Sequence, residues 1–530
     1  MYWSDKYKSI YFCLKLLSSV WALAILQLII ARQETTMTMD PSHYTNNKFN
    51  QLKMKLINLS IAFFLSLCIS TGCSTINSSK AKRNVLDNIS GEKYDWTITG
   101  QPERPYMHAY HKSIMMKMMM ASYKDGRFQV NVNYEEALKN IIAIDKLTRG
   151  VPKIIYLVGW QYDGHDSKYP AFFEFNEKLK RDQDATAADS YFWLRKEAKK
   201  YNTTISVHIN LNDAYENSPL FDMYLQKDLF NKWEDGSFQT NGVWGGLKSY
   251  SVNLTKEWEL GLTKERIDRV VKLLDLQKSK TVHIDAFFPR ESPFHGTTRV
   301  DNTKIMRKIF RYFRNLGIDV TSELAAMHQE EDSFVGLRPA TWAVDFSAEV
   351  RSKIPPYMAA GGISADGLTR NLEKEFLFGS NMLGEPNILK GNTNFSQFRN
   401  DFGMQSLVYL YLNTHKLENY DAGNKVVTYS NGLIVDWPNR TYKKNGILVR
   451  EANDIFLPAV WLKKEIIAYS EKGYVAKTWT LPSGWEKVKA VDIYALNEEG
   501  VGAKKTVNVV NGQVTLSMGV NQLLSIKPAH

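Results

Sequence analysis

The chain has 530 residues, of which 44% are hydrophobic and 12% aromatic. This length exceeds one ordinary domain, and the apolar content is sufficient for large packed cores. The formal net charge is +11, but lysine and arginine are spread along predicted helices, so we interpret the charge as solvated helix faces and expect no nucleic-acid partner. The three cysteines, Cys13, Cys68 and Cys73, lie near the N-terminus. The pattern therefore excludes disulfides and thiolate metal sites in the remainder of the chain.

Residues 54–73 have the pattern of a bacterial lipoprotein signal peptide. Lys53 and Lys55 flank Met54, an apolar run covers 56–69, and small residues lead to Cys73. In such signals the cysteine is lipidated and becomes N-terminal after cleavage, and this apolar run is shorter than the ~20 residues of a membrane span. We predict a lipoprotein of the bacterial cell envelope that is membrane-anchored through lipidated Cys73, with residues 74–104 as a polar tether.

Residues 1–53 contain a second apolar run, at 16–31. Two consecutive signals of this kind are unusual in one chain. We therefore predict that the natural start is Met54 and that residues 1–53 are an over-extended reading frame.

Residues 105–415 alternate strand-like and helix-like segments. Strands are predicted at KIIYLVGW (153–160), ISVHIN (205–210) and WAVDFSAE (342–349), and in the stretches TVHIDAFFPR (281–290) and IDVTSEL (318–324), where the strands end in Asp285 and Glu323. Helices are predicted at 133–150 with Asn133 and Glu136 as its cap, at 190–201, over ERIDRVVKLL, and from Asn302 to Gly317. Near-continuous apolar strands separated by helices predict a parallel sheet that helices cover.

The remaining choice is between an open doubly wound sheet and a closed barrel. Neither a GxGxxG fingerprint nor a P-loop follows any of these strands. Polar and acidic residues instead follow the carboxyl ends of at least five strands, where a barrel builds its site. The sequence therefore predicts an α/β fold, a (β/α)8 TIM-type barrel over residues 105–415.

After residue 420 the pattern changes to short alternating strands. Asn-Gly pairs at 431–432, 445–446 and 511–512 each separate two such strands, and Asn-Gly is a strong signal for tight antiparallel hairpins. We predict a C-terminal antiparallel β-sandwich over residues 420–530, with KTWTLPSGW (477–485) as an aromatic-rich connection within it.

Two carboxylates, Asp285 and Glu323, end successive predicted strands. A glycosidase needs one carboxyl group to protonate the leaving oxygen and another to attack or to activate water, and both must flank the scissile bond. The alternative is that both are ordinary capping or ion-paired acids at the starts of loops.

The segment GWQYDGHDS (159–167) supplies further polar candidates. Asp and His side chains bind sugar hydroxyls, and aromatic rings stack on the apolar face of a pyranose. A competing interpretation is a zinc site of His165, Asp166 and His208, but no HExxH or comparable spacing supports it. Trp244, within NGVWGGL, is either a lid over a sugar or a buried loop anchor.

These residues together resemble a known family. The motif GHDS (164–167), the strand VHIN followed by Tyr215, the strand VHID, the glutamate about forty residues later and KTWTLPSGW resemble the endo-α-N-acetylgalactosaminidases, glycoside hydrolase family 101. The resemblance implies a barrel enzyme without a metal or other cofactor that releases Galβ1,3GalNAc from Ser or Thr of mucin-type glycoproteins by retaining double displacement. It implies that the partner is an O-glycoprotein or oligosaccharide substrate.

The resemblance also implies residue roles. Asp285 corresponds to the nucleophile and Glu323 to the general acid/base, with His165, Asp166, His208, Asn210 and Trp244 binding the substrate. Because the acid must hold a proton near neutral pH while the nucleophile stays ionised, we expect the pKa of Glu323 to be raised.

Three alternatives remain open at this point. The protein can act on a different α-linked glycan, bind glycans without turnover, or serve as a structural surface lipoprotein. Loss of reaction on mutating Asp285 or Glu323 separates the enzymes from the other two classes.

Overall fold

The computed structural model describes residues 106–529 except 125, 324–333, 343–347, 362–370 and 384–393. These residues all fall within one compact unit, Ser79–His530. The predicted reading-frame extension at 1–53, the signal peptide ending at Cys73 and the tether at 74–104 lie outside the described residues. Within the described part, no helix combines the length and the apolar character that crossing a bilayer requires.

Eight parallel strands form the first sheet. In chain order they are β1 (Ile114–Met119), β2 (Lys153–Val158), β3 (Thr203–Asn210), β4 (Thr281–Asp285), β5 (Asp319–Glu323), β6 (Ala340–Trp342), β7 (Ala360–Gly361) and β8 (Met382–Leu383). Each of β1 to β7 pairs with its neighbour in sequence, and β8 pairs with β1. The predicted barrel is confirmed.

The barrel closes where β7 approaches β8. The Gly361 amide donates to Asn381 Oδ1 at 2.9 Å, and the Asn381 amide nitrogen donates to the carbonyls of Tyr110 and Ser113. A Cβ atom at Gly361 would lie 2.7 Å from Met382 Sδ, and its φ is +99°. The Asn381 side chain therefore joins the last two strands, and only glycine fits this close approach.

Strand residues alternate between the two faces of the barrel wall, as the period of two requires. In β3, Ile205, Val207 and Ile209 join the core beneath the helices. The intervening Ser206, His208 and Asn210 are buried polar residues on the other face. The barrel interior is therefore unusually polar near the carboxyl ends of its strands.

The helices cover the outer face. They are Tyr134–Leu147, Ala187–Ala198, Phe221–Gln226, Leu254–Glu259, Leu262–Leu274, Leu276–Ser279, Arg299–Asn315, Ala348–Lys353, Leu372–Phe378, Phe395–Asp401 and Leu407–Leu412, with a π-helical segment, Phe402–Ser406, between the last two. Asn133 and Glu136 form the predicted capping box. This pair satisfies amide groups that have no partner within the first helical turn.

Two predicted boundaries were wrong. The helix between the two carboxylates begins at Arg299 and not at Asn302, because Thr298 and Asp301 form a capping box one turn earlier. Of the strand predicted over 342–349, Trp342 lies in a strand but Ala348 and Glu349 lie in a helix, and 343–347 lie outside the described residues. Alanine and glutamate favour helix at 348–349, and β6 pairs with its neighbours only over its short length.

The C-terminal region is antiparallel. One large sheet contains Leu417–Asp421, Val426–Tyr429, Leu433–Asp436, Thr441–Lys444, Ile447–Glu451, Asp454–Pro458, Ile466–Ser470, Gln522–Pro528, Ala490–Asn497, Gly500–Val501 and Lys505–Asn508. A ribbon of Tyr474–Thr480 and Gln513–Met518 packs on it through Trp479, Val514 and Leu516. The predicted sandwich is confirmed, with layers of very unequal size.

The Asn-Gly turns have the backbone that tight hairpins need. Asn431 and Asn445 have φ of 60° and 50°, and the following glycines are also positive. Asn511 and Gly512 turn between strands that belong to different sheets. The segment KTWTLPSGW is not only a connection as predicted, because its first residues lie in the ribbon strand.

Ion pairs join the barrel to the C-terminal sheet. Arg149, after the first covering helix, donates from Nε and Nη2 to the Glu465 carboxylate at 2.7 and 3.2 Å. Ser525 Oγ donates to the same carboxylate at 2.6 Å, and the Trp461 indole donates to the Arg149 carbonyl at 3.1 Å. Glu465 is only 5% exposed, so these bonds lie within the interface.

We predict that Glu465→Gln lowers the free energy of unfolding by about 1.5–3 kcal/mol, because it weakens charge-assisted hydrogen bonds at a buried position. Chemical denaturation measures the change. Glu498→Gln is the matched control, since Glu498 also pairs with a barrel residue, Arg399 at 2.7 Å, but is exposed. The control should lose no more than about 1 kcal/mol. Equal losses in the two variants would contradict the assignment.

Candidate active site

The register of the strands brings the two acidic residues to the same end of the barrel. Asn210 of β3 pairs with Asp285 of β4, and Ser322 of β5 pairs with Ile284. Glu323 follows Ser322 as Asp285 follows Ile284, so the two carboxylates end neighbouring strands. Their side chains are 15% and 14% exposed. This arrangement is the one that the sequence predicted for a pair of catalytic acids.

Lys117 is a site residue that the sequence analysis missed. It lies on β1, and its Nζ donates to Glu323 Oε1 across the barrel. The same ammonium lies 5.2 Å from the centre of the Trp342 ring, and the residue is only 4% exposed. The sequence pattern that could have identified Lys117 is a lysine between methionines, MMKMM, in a strand whose residues are all buried.

Two neighbouring histidines with tilted rings line the wall between the carboxylates. The rings of His208 and His283 lie 5.3 Å apart, centre to centre. His208 Nε2 lies 3.6 Å from Asp285 Oδ1, and His283 Nε2 lies 3.8 Å from Glu323 Oε1. His283 Nδ1 bonds Thr321 Oγ1 at 2.8 Å. His283, which the sequence analysis did not select, is thus part of the site.

The GHDS loop is held against the hairpin that follows β1, whose strands are Ala121–Lys124 and Arg127–Val130. A Cβ atom at Gly159 would lie 1.8 Å from the Ala121 carbonyl oxygen, and one at Gly164 would lie 2.8 Å from the Ala121 carbonyl carbon. The His165 amide donates to that oxygen at 2.9 Å. Because no side chain fits at either glycine, both are required to bring the loop to the barrel mouth.

His165 and Asp166 then extend over that mouth. His165 Nδ1 bonds the Tyr169 hydroxyl at 2.8 Å, and its Nε2 lies 3.4 Å from Asp166 Oδ2. Tyr215 donates its hydroxyl proton to Asp166 Oδ1 at 3.1 Å. Asp166 has a φ of +60°, a strained conformation for a non-glycine residue of the kind that clusters at functional sites. The structure brings both predicted residues to the site.

Asn210 orients Asp285. Its Nδ2 lies 3.3 Å from Asp285 Oδ2 and 2.6 Å from Asp213 Oδ2. Its Oδ1 accepts from the amides of Asn212 and Asp213, both at 2.8 Å. The side chain is therefore fixed at both ends, and it holds one oxygen of the candidate nucleophile in place.

Trp244 lies on a hairpin of Thr240–Trp244 and Leu247–Ser251 that follows β3. The hairpin is tied to the site because Asn241 Nδ2 and Ser249 Oγ donate to Asp213 Oδ1. Trp244 itself is 47% exposed, so the alternative of a buried loop anchor was wrong. No contact between Trp244 and the other predicted site residues is part of the described structure, and its role as a lid stays a prediction.

The distribution of charge differs from the expectation for Glu323. Burial acts to raise the pKa of Glu323, but the Lys117 ammonium and the nearby His283 side chain outweigh burial and leave the pKa below its ordinary value. The expected increase was therefore wrong. Asp166 is the raised carboxyl group instead. Burial, reinforced by the charges of Asp285 and Asp213, raises its pKa to about 6 against the opposing effect of His165.

Burial also lowers the pKa of His208 well below its ordinary value, with further lowering from His165 and His283. His283 shifts in the same direction, again mainly through burial. Both imidazoles are therefore neutral at neutral pH. Two sets of side chains in the site have metal-ligand chemistry, namely His165, His208 and Asp285, and His208, His283 and Glu323.

Residues 108–348, which contain all these catalytic and sugar-binding candidates, match the sequence profile of the endo-alpha-N-acetylgalactosaminidases, glycoside hydrolase family 101. The match supports a glycoside hydrolase. The match confirms the resemblance drawn from GHDS and the strand VHID. It covers the barrel from before β1 to the start of the helix after β6.

Solved structures that are similar to part of this chain include two glycosidases. The alpha-N-acetylgalactosaminidase NagBb from Bifidobacterium bifidum in complex with GalNAc has a TM-score of 0.47 and 11% identity, over 70% of this chain and 60% of that chain. An alpha-amylase from Geobacillus thermoleovorans has a TM-score of 0.42 and 10% identity, over 80% of this chain and 100% of that chain. This chain thus spans less than two thirds of the length of NagBb.

We predict that Lys117→Met raises the pKa of Glu323 above its usual range near 4.3, because the variant keeps the burial and the Asp285 charge but loses the ammonium. A pH titration of selectively ¹³C-carboxyl-labelled glutamate by NMR measures this pKa. Lys112→Met, at an exposed position just before β1, is the matched control and should leave it unchanged. A Glu323 resonance that still titrates below its ordinary pKa in Lys117→Met would contradict the role of Lys117.

Proposed function

We propose that the protein is a retaining glycoside hydrolase that acts on α-linked N-acetylgalactosamine of mucin-type O-glycans and releases Galβ1,3GalNAc from Ser or Thr. The observation that carries this proposal is the pair Asp285 and Glu323 at the ends of neighbouring barrel strands, within a segment that matches the endo-alpha-N-acetylgalactosaminidase family. An O-glycoprotein or oligosaccharide is then the substrate.

In this proposal Asp285 attacks the anomeric carbon. Asn210 holds its Oδ2 at 3.3 Å, which leaves Oδ1, on the His208 side, to form the bond. A neutral His208 places no cation against this oxygen, so the carboxylate keeps its nucleophilic charge density. The product of this step is a covalent glycosyl–enzyme ester.

Glu323 acts at the leaving oxygen. Its ionised form, which Lys117 stabilises, is the form that accepts a proton from water when the ester is hydrolysed. The first step instead requires protonated Glu323. Substrate binding must therefore weaken the contact between Lys117 and Glu323, or only the small fraction of enzyme molecules with protonated Glu323 carries out the first step. Lys117 thus favours the ionised form of Glu323, which acts as the base in the second step.

Asp166, His165 and Tyr215 are placed to bind sugar hydroxyls. Asp166 Oδ2 and His165 Nε2 lie 3.4 Å apart. This spacing allows the two atoms to bind adjacent hydroxyl groups of one sugar. Tyr215 fixes the Asp166 carboxyl group through the hydrogen bond that its hydroxyl donates. We place the innermost sugar over these groups, with Trp244 as the candidate lid.

The two catalytic roles can be separated with azide and Galβ1,3GalNAcα-p-nitrophenol, using the unit Ser79–His530. We expect the wild type to release the disaccharide first as the α-anomer. Asp285→Ala and Glu323→Ala should each slow turnover by about 10²–10⁴-fold or more. Azide should rescue Asp285→Ala with formation of the β-azide, and Glu323→Ala with formation of the α-azide.

Glu291→Gln is the matched control, because Glu291 is an exposed residue of the loop that follows Asp285. It should retain wild-type turnover. Disaccharide binding without any release would instead favour a glycan-binding protein that has no turnover. Hydrolysis of another α-linked glycan, without release of Galβ1,3GalNAc, would support the proposed reaction but contradict the proposed substrate.

We also propose that the protein is a lipoprotein of the bacterial cell envelope anchored through Cys73. The support is the basic start at Met54, the short apolar run and the small residues before Cys73. A native protein that begins at a diacylated Cys73, detected by mass spectrometry, is the expected result. Cys73→Ala should abolish lipid labelling and membrane retention. Detection of residues 1–53 in the mature protein would contradict the predicted start.

A further inference from the structure

We propose that His165, His208 and Asp285 form a binding site for a divalent transition metal, of the Zn²⁺ class, at the mouth of the barrel. The proposed ligand atoms, one from each residue, lie within 4.8 Å of one another. His208 Nε2 and Asp285 Oδ1 are 3.6 Å apart. Two ligands of a tetrahedral zinc ion at ordinary bond lengths are about 3.4 Å apart, so His208 and Asp285 are already close to the required spacing, and His165 completes the set by moving toward them.

His208 is the independent indication of a ligand. The residue is 1% exposed, and neither of its ring nitrogens makes a hydrogen bond within the described part of the chain. Buried polar groups normally have a partner, because an unsatisfied group loses its hydration without compensation. A neutral imidazole is the form that coordinates a metal.

The neighbouring groups act as supports for the ligands. The Tyr169 hydroxyl bonds His165 Nδ1 at 2.8 Å and so fixes the ring with Nε2 toward the site. Asn210 holds Asp285 Oδ2 at 3.3 Å. Metal-bound histidines and carboxylates usually have such partners on their other polar atom. Asp166 Oδ2, 3.4 Å from His165 Nε2, is a further oxygen beside the set.

Electrostatics favour this set over the alternative set of His208, His283 and Glu323. Glu323 already binds the Lys117 ammonium, and His283 Nδ1 already bonds Thr321. A metal ion there would lie against a buried cation. On the side of Asp285, the neighbours are instead the carboxyl groups of Asp166 and Asp213, whose mutual repulsion with Asp285 a divalent cation would relieve.

A metal ion bound at this site would inhibit the proposed glycosidase reaction. A metal on Asp285 Oδ1 would occupy the oxygen that the proposed reaction uses as nucleophile. Metal and sugar would then exclude each other. Metal binding itself does not depend on the glycosidase assignment, and it can be measured without any substrate.

The test uses Co²⁺ as a spectroscopic probe for Zn²⁺. The full chain, in detergent and with its cysteines alkylated, is titrated with Co²⁺ while the visible d–d absorption is recorded. We expect saturation at one ion per chain and displacement by Zn²⁺ but not by Mg²⁺. His165→Gln and His208→Gln should each abolish the saturable absorption. Tyr169→Phe should weaken binding by about 10- to 100-fold, as loss of a supporting hydrogen bond does at metal sites.

His415→Gln is the matched control, since His415 lies far along the chain, in the turn before the C-terminal sheet. It should bind as the wild type does. Because His208 is buried, circular dichroism must show that His208→Gln is folded, and the more accessible His165→Gln gives an independent reading. An unsaturable titration, or saturable binding that survives both substitutions, would overturn the proposal. Failure of the glycosidase assay would leave it unaffected.

Discussion

The candidate site depends on the ion pair between Lys117 and Glu323. Separated by 206 positions in sequence, the two residues meet because β1 and β5 contribute inward side chains to one closed barrel. The ammonium also faces the Trp342 ring, so β6 is tied to the same contact. An unpaired charge at this depth would be strongly destabilising, and each partner therefore constrains the conformation and the protonation of the other.

The site is divided into two electrostatic halves as a result. Around Glu323 the lysine and His283 stabilise negative charge, and the glutamate pKa is low. Around Asp285 and Asp166 the neighbours include carboxyl groups and the neutral His208 imidazole, and the Asp166 pKa is high. His208 lies between the halves, within reach of both candidate catalytic acids. This division, more than the pair of acids alone, determines where a sugar or a cation can bind.

Much of this architecture could be predicted from sequence because it is encoded locally. In the strands VHIN and VHID, alternating polar and apolar residues show which side chains face the barrel interior and which face the helices. The chain order of strands and helices is compatible with only a few sheet topologies. The wrong start of the helix at 302 arose because Asn302 is a good capping residue in isolation, whereas Thr298 and Asp301 satisfy each other reciprocally. The pKa of Glu323 was mispredicted for a different reason. Its controlling charge comes from a strand that no local pattern connects to it.

Asp166 has a thermodynamic consequence for folding. Its pKa is about 6 in the folded protein against an ordinary value of 3.8, so between these pH values the native chain holds a proton that the unfolded chain has released. Folding is therefore accompanied by proton uptake at this residue. Its contribution to stability is fully present below pH 3.8 and is lost as the pH rises through 6. In mildly acidic solution, the measured enthalpy of unfolding should accordingly depend on the ionisation heat of the buffer, which absorbs the released proton.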